Sequence, residues 1–110
     1  MDKIRYVIGF GYERDRDAAL TGRSEPEVIS IVERSASEVG LPAYALRFGP
    51  GSWLNPDTDE RIQEQGGTVE YVGTAPDEAM VRYFAIRLRH ELQQGCVVFY
   101  TQRVETFKFI

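Results

Sequence analysis

Ile4, Tyr6, Ile8, Phe10 and Tyr12 are all large and apolar or aromatic, and the residues between them are Arg5, Val7, Gly9 and Gly11. Period-two patterning over nine residues fits a pleated strand with one face in a core and a different, barer face behind it. A strand of this kind cannot bury its apolar side alone, so the rest of the chain must supply a covering layer.

Two helices provide that layer. Ser24-Glu25-Pro26-Glu27 is a capping box, in which the serine hydroxyl and the glutamate three residues on satisfy amides at a helix start. Val28, Ile31, Val32, Ser35 and Val39 follow on one side, and Gly40-Leu41-Pro42 ends the helix with a left-handed glycine and a proline that blocks continuation. Thr74-Ala75-Pro76-Asp77 begins a second helix, expected to run to Gln94 and close at Gly95, with Val81, Phe84, Ala85, Leu88 and Leu92 as its stripe.

Between and after the helices, Ala43–Phe48 reads as a strand stopped by Gly49-Pro50-Gly51, residues 52–67 as an irregular hairpin arm, and Thr68–Gly73 as a third strand. Cys96–Tyr100 reads as a buried strand, and Val104–Ile110 as a final short one. The predicted fold is α+β, a ferredoxin-like sandwich of order βαββαβ plus a terminal strand, with both helices on one face of an antiparallel sheet.

A length of 110 residues, 43% of them hydrophobic, suits one domain over 1–110 that folds without staples, and a single cysteine excludes a disulfide framework. The absence of a long apolar run or a signal-type N-terminus points to a cytoplasmic protein with no membrane partner. Thirteen basic against seventeen acidic residues, net −4, give no general attraction to nucleic acid. The split β-α-β order is shared with an RNA-binding module, but Glu70 stands where that module wants basic and aromatic side chains.

Motifs for chemistry are incomplete. Gly9-Phe10-Gly11 lacks the third glycine and the helix of a dinucleotide fingerprint, and its glycines are explained by close approach of a neighbour or by a ligand on the bare strip. Asn55, Asp57 and Asp59 have calcium-loop spacing without the required glycine and final glutamate, so no metal or cofactor is expected. Gly51-Ser52-Trp53 is half of a nucleophile elbow. His90 lies beside Tyr83 and Arg87 near a helix end where its charge suits the dipole, Cys96 reads as core filler, and Glu64 and Glu70 form a carboxylate pair only in one hairpin register.

Gly51-Ser52-Trp53, the strand-helix unit Val69–Leu92 and Gln94-Gly95-Cys96-Val97-Val98 resemble a family of small bacterial and phage-encoded proteins of unknown function. The resemblance implies a ferredoxin-like domain in a prokaryotic or viral setting and carries no catalytic residue.

Three functions fit. The first is a non-catalytic binding or assembly module, a homodimer formed through Val104, Thr106, Phe107 and Phe109 by strand addition or by packing of sheet faces, with a protein partner in reach. The second is a small-molecule-binding protein or small enzyme with a pocket at the sheet or dimer interface, walled by Tyr6, Tyr44, Trp53 and Tyr71 and anchored by Arg47 or His90. The third is an acidic phage inhibitor of a host protein, which needs a continuous negative stripe through residues 57 to 64 and 70.

Overall fold

The computed structural model describes residues 2–110. In chain order its elements are β1 (Lys3–Gly11), α1 (Glu25–Val39), β2 (Ala45–Leu54), β3 (Arg61–Gly73), a 3-10 turn (Ala75–Asp77), α2 (Glu78–Glu91) and β4 (Val98–Val104). The four strands form one antiparallel sheet in the order β2-β3-β1-β4. This is the ferredoxin-like α+β arrangement expected from the element order.

Register places the large side chains of β1 on the helix-covered face. Tyr6 opposes Tyr71 and Thr101, and Ile8 opposes Val69 and Phe99. Onto this surface pack Val28, Val32 and Ala36 of α1 and Val81, Phe84, Ala85 and Leu88 of α2, with Leu92 just beyond it. Ion pairs of Arg34 with Glu91 (3.3 Å) and of Arg87 with Glu38 join the helices at their rims.

The α1 caps have the form read from the sequence. The Ser24 hydroxyl accepts from the Glu27 amide, and Gly40 sits at φ 78° while Leu41 returns its amide to the Ala36 carbonyl at 2.9 Å. Two buried side-chain polar atoms among the described residues have no partner, Arg87 Nε and the Ser35 hydroxyl, the latter on a residue with no exposed surface. Ser35→Ala removes that desolvated oxygen and supplies a better helix former, so a gain of about 1 kcal/mol is expected in denaturant unfolding.

Several boundaries differ from expectation. β2 runs straight through Gly49-Pro50-Gly51, because it is an edge strand and the missing proline donor faces no neighbour. Residues 52–67 are mostly regular: Trp53 pairs with Ile62 across a tight turn in which the Asn55 amide donates to the Glu60 carbonyl at 2.8 Å. β3 therefore starts at Arg61, and its first residues pair with β2 alone, so the hairpin continues past the end of β1 as a two-stranded ribbon.

At the other edge, β4 replaces the two strands predicted for 96–100 and 104–110. Cys96 is exposed rather than core, Val98 and Tyr100 are about half exposed, and residues 105–110 are not strand. An edge strand with one neighbour keeps much of its surface in solvent, however apolar its sequence. α2 stops at Glu91, with Gln93 in the left-handed region at φ 55°, so the helix ends before Gly95.

Candidate functional site

The face of the sheet away from the helices holds most of the polar chemistry. Alternation brings Gly9 and Gly11 of β1, Glu64, Gly66, Thr68 and Glu70 of β3, and Arg47, Gly49, Gly51 and Trp53 of β2 to this side. At Gly49 and Gly51 the floor is bare backbone, while the Glu64 carboxylate lies over Gly11 and the Phe10 carbonyl against Gly66. A shallow hollow of about 290 Å³ lies along the β2–β3 seam, lined by Arg47, Gly49 and Thr68 of this face and by Phe10, Phe48 and Gly67 of the other, with Glu64 outside it.

Glu64 stands at the end of that floor. It is only 8% exposed, and its side chain folds over Gly11, where a Cβ would overlap the carboxylate. The Trp53 indole donates to Oε1 at 3.0 Å and the Arg14 backbone amide donates to Oε2 at 2.9 Å. Among the described residues no Lys, Arg or His forms an ion pair with it. The Arg14 guanidinium is turned aside to the Ala18 carbonyl at 2.8 Å. A carboxylate withdrawn from water is normally matched by a cation or by hydrogen bonds. Here two neutral N–H donors hold its geometry.

Glu70 is the contrasting case. Its carboxylate meets Arg5 Nε at 2.9 Å and Arg47 Nη1 at 3.2 Å. The hydrogen bond from Arg5, helped by the charges of Arg5 and Arg47, holds it below the usual carboxylate range against the opposing effect of burial. A carboxyl with a depressed folded-state pKa contributes stability above its unfolded value, near pH 4.3, and loses it as pH falls through the lower folded value. Thermal melting from pH 6 to pH 2 is therefore expected to fall more steeply in the wild type than in Glu70→Gln, the two curves running parallel above the unfolded value and converging as pH falls below it.

Glu64 and Glu70 share a face but not a site. Residues 62–72 are one strand rather than a hairpin, and six residues of strand set the two carboxylates roughly 20 Å apart, so they form no pair. With Glu64 buried and Glu70 neutralised by two arginines, residues 57–64 and 70 form no continuous negative stripe either.

The residues singled out from sequence fall in different places. Arg47 and Trp53 lie on the helix-free face. Tyr6 and Tyr71 are beneath the helices, their rings stacked with centroids 6.2 Å apart, and Tyr6 donates to the Thr74 carbonyl at 2.7 Å. Burial pushes both phenols up, so they stay protonated through the neutral range. Tyr44 is half-buried against the same core before β2. His90 is exposed in the last turn of α2. Val104 closes β4 opposite Lys3, Thr106 follows it, and Phe107 meets Phe109 edge-on at 5.1 Å. No group of three or more His, Cys, Asp or Glu among the described residues has metal-holding geometry. No helix among them is long and apolar enough to cross a membrane.

Sequence reasoning named Glu64 only as half of a pair. Its real partners, Arg14 and Trp53, are 50 and 11 residues away, and the signal that links them is the register setting Gly11 opposite Gly66.

No family model and no curated protein matches the chain. Its fold does match solved structures. A phage SAM lyase in complex with S-methyl-5′-thioadenosine superposes with a TM-score of 0.73 at 16% identity, over 92% of this chain and 81% of that one. A phage SAM lyase in the apo state gives 0.64 at 15% identity, over 97% and 94%. The GlnK–ATP complex of B. subtilis gives 0.58 at 13% identity, over 94% and 84%. At such identities the likeness is one of fold, and it sets this chain beside small ferredoxin-like proteins of phage and bacteria.

Proposed function

We propose that the helix-free face around Glu64 binds a cationic adenosine metabolite of the S-adenosylmethionine class, and that the protein is a small enzyme cleaving a carbon–sulfur bond in it. The observation that carries this reading is the buried Glu64 carboxylate, fixed by neutral donors and lacking a protein cation. A sulfonium is a cation without N–H groups. It suits a carboxylate whose hydrogen-bonding positions are already occupied, because it needs charge and not acceptors. Gly49 and Gly51 leave the β2 backbone open to a flat ligand, and the likeness to a SAM lyase over nine-tenths of the chain favours this ligand class among cations.

When a carbon–sulfur bond of a sulfonium breaks heterolytically, the electron pair returns to sulfur and leaves a neutral thioether, while the carbon takes its new bond from the ligand's own carboxylate and closes a lactone. Glu64 thus favours the charged substrate over a product such as S-methyl-5′-thioadenosine. Ground-state attraction of this kind governs binding, so acceleration must come from orientation of the breaking bond over the strand floor. Calorimetry with S-adenosylmethionine and with S-methyl-5′-thioadenosine, alongside chromatographic assay of the first converting to the second, tests the reading. Tighter binding of the sulfonium together with turnover is expected. Absence of heat from both ligands at millimolar concentration, with no turnover, overturns it.

Self-assembly through the β4 edge is a second reading, favoured by one observation: Val98 and Tyr100 are about half exposed on an edge strand, and Phe109 and Ile110, after its end, are in solvent. On this reading Val104, Thr106, Phe107 and Phe109 extend the pairing surface of a homodimer. Truncation after Arg103 should then reduce the sedimentation coefficient at micromolar concentration. Identical sedimentation of both forms overturns it.

A further inference from the structure

We infer that Gln94, outside the site and beyond the end of α2, is a positioning residue for Glu64 and acts through the backbone of Arg14. The inference rests on the reading of Glu64 as the ligand-binding carboxylate. Its geometry is a chain of hydrogen bonds from the core to the site. Leu92, with no exposed surface, fixes the end of α2. The Gln94 side-chain amide donates to the Leu92 carbonyl at 3.0 Å and to the Arg14 carbonyl at 2.7 Å. The Arg14 amide then donates to Glu64 Oε2, while the Trp53 indole holds Oε1.

Residues 12–23 otherwise form an irregular connection whose position depends on a few such ties. The Arg16 amide donates to the Gln93 carbonyl at 2.8 Å, and Arg23 donates to the Leu92 and Glu91 carbonyls at 3.2 and 3.1 Å. These secure the connection as a whole. Arg14 is tied within the connection by its guanidinium bond to the Ala18 carbonyl and its bridge to Leu20, and Gln94 is the side chain that anchors it from outside, to the end of α2. Its side chain donates where Arg14 accepts, so Arg14 is held from one side while it donates on the other. Loss of that grip frees the Arg14 amide to drift from Glu64, and the carboxylate then keeps one directional donor in place of two.

The chain has one tryptophan, so indole fluorescence of the ligand-free protein reports on the Trp53–Glu64 contact directly. Gln94→Met keeps length and removes the donor. Gln94→Lys restores a donor of similar reach. Arg23→Met loosens the connection without touching Arg14. In Gln94→Met the Arg14 amide is expected to exchange with deuterium about tenfold faster, with a red-shifted Trp53 emission and a Kd for S-adenosylmethionine weakened about fivefold. Gln94→Lys should recover all three signals, and Arg23→Met should lower the melting temperature while leaving the Trp53 emission unchanged. A Gln94→Met protein that melts earlier yet keeps wild-type Arg14 exchange and Trp53 emission overturns the inference and makes Gln94 merely structural. If the wild type binds no S-adenosylmethionine, the ligand reading fails, while the two ligand-free signals still decide the role of Gln94.

Discussion

Glu64→Gln is expected to weaken S-adenosylmethionine binding by at least about a hundredfold, with a much smaller effect on the neutral thioether. The substitution keeps the shape of the side chain and removes its charge. Loss of one close charge–charge contact in a largely desolvated place is worth about 3 kcal/mol or more, which converts to that ratio. The variant also has a structural signature. Both Glu64 oxygens accept from N–H groups, one on Trp53 and one on Arg14. A glutamine offers one acceptor and one NH2, so one of the two donors faces another donor and loses its partner. That mismatch costs about 1–3 kcal/mol of stability. Calorimetric titration with both ligands, read beside a denaturant melt, separates the effects. An unchanged ratio of sulfonium to thioether affinity would show that the charge recognised by the protein lies elsewhere.

Phe84→Ala should produce the largest loss of stability of any single change considered. Phe84 has no exposed surface and lies on the α2 stripe between the helices and the sheet. Truncating a buried phenyl ring costs about 3–5 kcal/mol through lost transfer energy and an unfilled cavity. Against a total of about 5–15 kcal/mol for a domain of this size, the melting temperature should fall on the order of 15 °C or more. Ile86→Ala, two residues on and 52% exposed, is the control and should stay within about 0.5 kcal/mol of wild type. Similar losses at both positions would mean that the outer face of α2 is covered by something in solution.

The helices were the most legible part of the chain because their signals are local. The capping box at Ser24, the left-handed Gly40 and the stripe from Val81 to Leu92 each depend on residues within a few turns, and all three stand as read. The core face of β1 was legible for the same reason. Strand limits were not, because they depend on neighbours distant in sequence. Gly49-Pro50-Gly51 looks like a terminator until its strand is known to lie at an edge. Cys96–Tyr100 looks buried until β4 is known to have one neighbour. The site was least legible. Glu64 acquires its environment only when β3 is registered against β1 and the connection after β1 turns back to present the Arg14 amide. The two glycines opposite the aromatic stripe were visible as a bare strip, but what lies over Gly11 is this chain's own carboxylate.

The hairpin that outruns β1 has a consequence for how the protein can be handled. Beyond the Gly11–Gly66 pair, Glu64 and Gln65 still accept from the Arg14 and Tyr12 amides, while Arg61–Gln63 pair in the sheet with β2 alone. Two unsupported strands are marginal by themselves and tolerate change at the tip far better than at the root. A short epitope spliced between Asp57 and Thr58 should therefore leave the folded body intact, giving an affinity handle that leaves both chain ends untouched.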